Sequence, residues 1–230
     1  MSRGLRWSLF ALAFVLALST TLPLPLALQL PGLPPPLAAA GATGTLWHGQ
    51  LHEARWGTTP LGRLSLRLSP WQLALGQVQL QVAGPHLGAR VLRGRRSGVQ
   101  HAHGTLDLAY PGLDLRLHLD DASAVFGRGG CSHAGGSLVL EPAPMHATGA
   151  ALPVLRATPR CEGGQWLALF ESEAGATPAR AELRLDAAGT LRTRIDVDTS
   201  APAARLALAA HGFEPSGEAM VLDAEQQFWQ

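Results

Sequence analysis

The sequence predicts an all-β fold, with a single N-terminal transmembrane helix followed by an antiparallel β-sheet domain. Apolar and polar residues alternate with a period of two along much of the chain after residue 43. The connections between these stretches contain Gly-Pro, Tyr-Pro-Gly and Gly-Gly pairs. Residues 7–52 contain no Asp, Glu, Lys or Arg. The domain is expected to be either a sandwich or a curved open sheet.

The composition favours one domain plus a targeting segment. The chain has 230 residues, 47% of them hydrophobic and 15% charged, with a mean hydropathy of +0.11. This composition is too apolar for a disordered chain, and some of the apolar residues are expected to lie in a membrane.

The charge balance argues against nucleic acid as a partner. Lys and Arg number 18 against 17 Asp and Glu, a net charge of +1, whereas nucleic-acid binding needs a concentrated cationic surface. The basic cluster at residues 90–98 is predicted to be an exposed loop, with a polyanion or headgroup site as the alternative.

The N-terminal segment is predicted to be an uncleaved membrane anchor. Residues 1–6 form a short cytoplasmic segment, and residues 7–28 would span about 33 Å as a helix, enough for a hydrocarbon core of about 30 Å. Pro23 and Pro25 could limit the undisturbed helix to residues 7–22, which is close to the length of a signal-peptide core.

Two further observations favour the anchor and set its orientation. The small-residue pattern at residues 38–40 lies far beyond the apolar core, which argues against cleavage there. Arg3 and Arg6 are expected to stay in the cytoplasm, so that the remainder of the chain faces outward. Residues 29–43 are predicted to be a Pro/Ala-rich linker, and residues 44–230 the β domain.

Strands are predicted wherever the two-residue alternation is regular. The clearest cases are the Leu-alternating stretches at 64–68 and 113–119, the Gln-Val stretch at 77–82, the charged stretches at 182–186 and 192–198, and a short run around Leu206 and Leu208. No segment after the linker shows a convincing helical period. A Gly-(Thr/Ser)-Leu motif recurs four times, and each copy is predicted to start a strand; the copies begin at Gly44, Gly104, Gly136 and Gly189.

The two cysteines, Cys131 and Cys161, are 30 residues apart in Gly-containing turn sequences. In an oxidising compartment they would most simply form one disulfide. The alternative is metal ligation with His133, which would supply only three ligands and lacks the close pairing of structural zinc sites.

No catalytic, cofactor or metal site is predicted, and the chain is not expected to be an enzyme. The common nucleophile, zinc-protease and phosphate-loop motifs are missing from the sequence. His101 and His103 would share one strand face that could hold a metal, but no acidic residue or further His is expected beside them.

Three tryptophans lie in the first strands after the linker: Trp47, Trp56 and Trp71. Packing in the core or across strands is the simpler interpretation, because aromatic side chains bury the most apolar area. The alternative places part of this set at an interface with a membrane or a protein partner, where Trp is enriched.

The order of these features resembles the type II secretion system protein N family, also called general secretion pathway protein N. A short cytoplasmic start, one membrane segment and a Pro-rich spacer precede the stretch GTLWHGQLHEARWG. Its family element corresponds to Gly44, Thr45, Leu46, Trp47 and Gly49, and Trp56 ends the stretch before its last glycine. The second element corresponds to Leu68, Pro70, Leu73, Leu75 and Gly76, with Trp71 next to the proline. Cys131 and Cys161 are similar to the cysteine-bearing strands of the family.

The resemblance implies a non-enzymatic accessory component of type II secretion, anchored by a single pass in the cell inner membrane with its C-terminal domain in the periplasm. Its partners would be other secretion subunits, on the inner-membrane platform or the outer-membrane secretin. The alternative function is a periplasmic lipid-binding or transfer domain with an open apolar groove. The two hypotheses differ in the apolar face of the sheet: packed side chains would cover it in a secretion component, whereas an open groove would favour lipid transfer.

Overall fold

A computed structural model describes residues 23–27, 37–56, 59–110, 113–142, 153–172 and 178–227. In these ranges sixteen strands belong to one antiparallel sheet, which confirms the all-β prediction. Residues 7–22 of the predicted membrane anchor lie outside the described ranges. Among the described residues, no helix combines the length and apolarity that a membrane crossing requires.

The elements are numbered in chain order. The helices are α1 (Leu24–Ala27), α2 (Pro70–Ala74) and α3 (Pro202–Ala210). The strands are β1 (Leu37–Ala38), β2 (Gly41–Gly44), β3 (Gly49–Trp56), β4 (Thr59–Leu68), β5 (Val78–Ala83), β6 (Leu87–Arg93), β7 (Ser97–Tyr110), β8 (Leu113–Gly127), β9 (Gly130–Pro142), β10 (Leu155–Ala157), β11 (Arg160–Glu162), β12 (Gln165–Ser172), β13 (Ala179–Leu185), β14 (Thr190–Asp198), β15 (Glu214–Ser216) and β16 (Ala219–Gln227).

The sheet follows chain order with few exceptions. Its path is β1-β3-β4-β5-β6-β7-β8-β9-β10-β12-β13-β14-β16-β15, while β2 pairs β3 and β11 pairs β12. Short connections favour this meander, because a tight turn can only return the chain antiparallel to the preceding strand. All described strands lie in one sheet, so of the two expected alternatives, a sandwich or a curved open sheet, the structure has the single sheet. β1 and the first three residues of β2 fall within the predicted linker 29–43, so the first described strand already begins at residue 37.

The alternation of apolar and polar residues produces the core directly. Leu117 on β8 pairs with Leu140 on β9, and Leu140 pairs with Leu155 on β10, so that one face carries a continuous apolar row. Phe170 and Met220 continue this face at 1% and 2% exposure. Burying each such side chain stabilises the fold by roughly 1.5–3 kcal/mol. A smaller cluster around Leu51, Leu64 and Leu66 forms beneath β3 and β4.

β-Bulges bend the sheet at its centre. The register shifts between Val99 and Gly104 on β7 and between Asp120 and Ser123 on β8. Gly136 on β9 lies against the second bulge with a φ of +87°, and a Cβ there would clash with the carbonyl of Asp121. Bulges increase local twist and bend the strand.

The bend folds the sheet onto itself. The Trp166 indole on β12 donates a hydrogen bond from Nε1 to the carbonyl oxygen of Ser123 on β8, with 3.1 Å between the two atoms. In the sheet order these strands are three places apart, which would separate them by about 14 Å in a flat sheet. The folded sheet therefore covers its own apolar face.

Two sequence predictions about local structure were wrong. Residues 202–210 form α3 instead of a strand around Leu206 and Leu208: Pro202 sits in the first turn and the rest of the segment is rich in Ala and Leu, which favours a helix. Leu208 is buried in the main core, while Leu206 is 77% exposed. Of the four glycine motifs, only the copy at Gly189 starts a strand; the others end β2 or lie inside β7 and β9.

We predict that Gly136→Ala destabilises the domain, because it introduces both an unfavourable positive φ and a backbone clash. The expected loss of unfolding free energy is on the order of 2–3 kcal/mol. Gly41→Ala is the matched control, since no atom lies within 4 Å of a Cβ at Gly41. Thermal and urea unfolding of the full chain in mild detergent measures both variants. Equal stability of the two would contradict the role assigned to Gly136.

Candidate functional site

The family-like motif at residues 44–49 forms the tight turn between β2 and β3. Gly44 has a φ of +88°, and a Cβ there would clash with the carbonyl of His48. The Thr45 N–H donates to the His48 carbonyl oxygen at 3.0 Å, and the His48 N–H donates to Thr45 Oγ1 at 3.3 Å. Leu46 lies in the turn, and Gly49 begins β3 against the Leu24 side chain. Gly44 therefore ends β2 at the turn, and Gly49 is the first residue of β3.

The tryptophans divide between the surface and the core. Trp71 on α2 is 76% exposed, so the prediction that it packs in the core was wrong. Trp47 is half-buried in the β2–β3 turn, while the surroundings of the Trp56 side chain lie outside the description. Trp166, which the sequence did not single out, is buried, with 9% of its surface exposed. Pro70 begins α2, where a missing N–H costs nothing.

The predicted disulfide is present. Cys131 on β9 and Cys161 on β11 are joined, with their Cα atoms 5.5 Å apart. Close by, the Cys131 N–H donates to the Gly164 carbonyl oxygen at 2.6 Å. The cross-link therefore fixes β9 to the hairpin of β11 and β12. Across the part of the chain that the structure describes, no group of three or more His, Cys, Asp or Glu side chains is placed to hold a metal ion.

The expectation that no acidic residue lies beside His101 was wrong, because Asp121 contacts it. The His101 Nδ1 lies 2.6 Å from Asp121 Oδ1, and both residues have positive φ, at 50° and 51°. The His101 N–H also donates to Ser123 Oγ at 3.2 Å. The bulges change the register between β7 and β8, so simple counting of alternating positions could not find this pair. The contact holds the two bulges together at the bend.

The outer face of β13, β14 and β16 carries a balanced lattice of charges. Arg194 lies 3.3 Å from Asp196 and 3.7 Å from Asp223, and Arg192 lies 3.1 Å from Glu225. Arg184 pairs with Glu182 on the same face. The hydrogen bond that Arg194 donates to Asp196, together with attraction to Asp196 and Asp223, raises the pKa of Arg194 above its ordinary value. Each arginine named here forms an ion pair with a carboxylate, so this face is a solvated surface and not a polyanion-binding site.

Two shallow concavities lie on polar parts of the surface. One, of about 410 Å³, follows the charged lattice between Glu182 and Glu225. The other, of about 580 Å³, is lined by side chains such as Gln50, Arg63 and Ser65. An acyl chain needs an enclosed hydrophobic cavity, whereas both concavities are open to solvent and have charged or polar residues around them. The apolar face itself is packed: Ala168 and Phe170 are 0% and 1% exposed, and Leu208 and Phe213 cover it beside β16.

The terminal edges of the sheet differ in how they are protected. At the N-terminal edge, β1 has only two residues, and α1 packs along β2. At the C-terminal edge, β15 has three residues with Pro215 at its centre, and it pairs only residues 219–221 of β16. Short strands and prolines are ordinary means of blocking an edge.

β16 continues beyond this protection. Its residues 222–226 pair β14 on one side, and no further strand pairs them on the other side within the described ranges. Alternate residues of an antiparallel strand direct their N–H and C=O groups to opposite sides. This stretch therefore offers main-chain hydrogen bonds to an added strand.

Comparison with known proteins identifies the family. The family model for type II secretion system (T2SS) protein N matches residues 35–221. The chain belongs to this family. The match begins just before β1 and ends where β15 stops pairing β16, so it covers nearly the whole described sheet. Membership implies an accessory role in type II secretion and an association with the cell envelope. Searches of curated proteins and of solved structures found no match.

We predict that the double variant Cys131→Ala/Cys161→Ala loses about 3–4 kcal/mol of unfolding free energy, as expected for opening a loop of 30 residues. Urea unfolding of the full chain measures the change. Reduction of the wild type should produce the same loss and leave the double variant unchanged. A wild type that is equally stable before and after reduction would contradict the structural role of the cross-link.

Proposed function

We propose that this protein is a non-enzymatic accessory component of type II secretion, anchored in the inner membrane with its β domain in the periplasm. It acts by binding other secretion subunits, of the inner-membrane platform or the outer-membrane secretin. Family membership supports a role in the secretion machinery, and the lack of charged residues between Trp7 and His52, after Arg3 and Arg6, supports membrane attachment in this orientation. The disulfide is in keeping with an oxidising compartment.

The open stretch of β16 is the surface that carries this proposal. An extended segment of a partner can pair with residues 222–226 and continue the sheet. The flanking chain suits such an addition, because the β14–β16 ladder runs over nine residue pairs and holds the edge straight. Main-chain pairing supplies affinity, and the side chains that alternate along β16, with Asp223 and Glu225 on the outer face, supply selectivity.

The packed apolar face favours this function over lipid transfer. A carrier needs an apolar cavity that opens to solvent, whereas this face is closed by the folded sheet and by α3. Its largest side chains, including Phe170 and Met220, already fill the interior with almost no exposed surface. The outer faces and edges remain for binding.

A proline scan at residues 223, 224 and 225 tests the proposed edge. Proline removes one N–H, and neighbouring residues direct their N–H groups to opposite sides of the strand. A proline at a position whose N–H bonds to β14 should break that ladder and lower the melting temperature. A proline at a position whose N–H faces the open edge should leave the melting temperature unchanged and abolish co-purification of the secretion subunits.

Ala224→Ser is the matched control, because it alters the side chain and keeps the N–H. It should retain the secretion subunits, identified by mass spectrometry after purification of the full chain from membranes. Unchanged capture by every folded proline variant would overturn the edge as the binding site. Absence of platform subunits and secretin from the wild-type preparation would overturn the proposed partners.

A further inference from the structure

One end of the sheet carries both large apolar and cationic side chains on its surface. Four neighbouring segments lie at this end: the β2–β3 turn at 45–48, the β4–β5 connection at 69–77, the β6–β7 turn at 94–96 and the β8–β9 turn at 128–129. The β11–β12 and β13–β14 turns follow at the same end, further along the sheet. The registers fix this arrangement, because Gly44 pairs Gly49, Leu68 pairs Leu80, Val78 pairs Arg93 and Ser97 pairs Phe126. We call these four segments together the basic-aromatic end.

Large apolar side chains protrude from this end. Trp71 is 76% exposed, Leu75 63% and Leu73 41%, all within or just after α2. Val78 follows at 37%. Soluble surfaces rarely expose such a group contiguously without a partner. The folded sheet does not cover it, so its partner lies outside the described chain.

Cationic side chains lie beside this apolar group. Arg95 and Arg96 are exposed in the β6–β7 turn, and Arg128 is exposed in the β8–β9 turn. The β6–β7 turn touches the α2 connection directly, since a Cβ on Gly94 would lie 3.0 Å from the Gly76 carbonyl oxygen. The four segments contain no Asp or Glu. The four segments therefore combine an apolar tip with a net positive charge, while Glu162 in the neighbouring β11–β12 hairpin pairs with Arg160.

The N-terminal apolar segment enters the domain at the same end. Pro23 forms an antiparallel bridge with Thr45, and Leu24 is 3% exposed in the small core, against Gly49. The part of the predicted anchor that is free to lie in a membrane is therefore residues 7–22. Sixteen helical residues extend roughly 24 Å, less than a hydrocarbon core of about 30 Å. A short span with no spacer draws the attached domain against the bilayer.

We propose that the basic-aromatic end lies on an anionic phospholipid bilayer, with Trp71, Leu73 and Leu75 in the interfacial region and Arg95, Arg96 and Arg128 against the headgroups. Trp is enriched at this depth, and arginines near an anionic surface bind it electrostatically. This inference goes beyond the proposed function, because it names a lipid surface and does not depend on any secretion partner. It also orients the sheet, with its β5–β6 turn directed away from the membrane.

The test places a nitroxide on the full chain reconstituted alone in nanodiscs. Leu73→Cys carries the label at the basic-aromatic end. His86→Cys is the matched control, exposed in the β5–β6 turn at the opposite end of the strands. Power saturation with oxygen and with a water-soluble nickel complex reports whether each label lies in lipid or in water. In discs of phosphatidylcholine with about one third phosphatidylglycerol, we expect lipid contact at 73 and water at 86.

Charge-reversal variants test the electrostatic contribution of the arginines to membrane binding. Arg95→Glu/Arg96→Glu should return the label at 73 to water in the anionic discs, whereas Arg55→Glu/Arg63→Glu, two exposed arginines elsewhere on the sheet, should leave it in lipid. A label at 73 that reports water in both neutral and anionic discs overturns the proposal. So does a label that becomes shielded only when secretion subunits are added, which would assign the surface to a protein partner.

Discussion

The bend across β7, β8 and β9 is the constraint on which the rest of the structure depends. A single antiparallel sheet has one apolar face, and a flat sheet of this width would leave that face in water. Here the bulges at residues 99–104 and 120–123 turn the sheet, the His101–Asp121 contact joins them, and Gly136 admits the neighbouring backbone. Trp166 then reaches Ser123, and the disulfide fastens β9 to β11. The apolar face becomes a core without a second sheet.

This closure determines what the protein can offer to other molecules. Its interior is filled, so binding is left to the outer faces, the edges and the ends of the strands. The outer face of β13, β14 and β16 has its arginines matched by acids, which makes it a solvated surface. The β16 edge and the basic-aromatic end differ from it, because one offers unpaired main chain and the other exposes apolar and cationic side chains. We assign the first to a protein and the second to the bilayer.

The sequence predicts the strands well and their three-dimensional path poorly. Leu64 and Leu66 face the core because alternation directly encodes burial in a sheet, and Cys131 and Cys161 were the only cysteines available to pair. The bulges escaped prediction because a one-residue shift leaves the composition unchanged, although glycines at 104 and 136 marked two of the sites. Residues 202–210 looked like a strand because Leu206 and Leu208 alternate, but helix propensity and the burial of Leu208 decided otherwise. Trp71 was expected to pack in the core because it is large and apolar. Its actual exposure depends on which other segments of the chain lie beside it, and the local sequence pattern does not specify them.

Hydrogen exchange of the full chain, alone in nanodiscs and again in the assembled secretion machine, tests the central claim most directly. The claim is that a closed core leaves the β16 edge to bind a partner strand. It predicts slow exchange for residues 166–170 in both states, since they lie in the packed centre of the sheet. It also predicts that alternate amides of residues 222–226 exchange rapidly in the isolated chain and become protected on assembly. Unchanged exchange of residues 222–226 on assembly, or rapid exchange of residues 166–170 in the isolated chain, would contradict it.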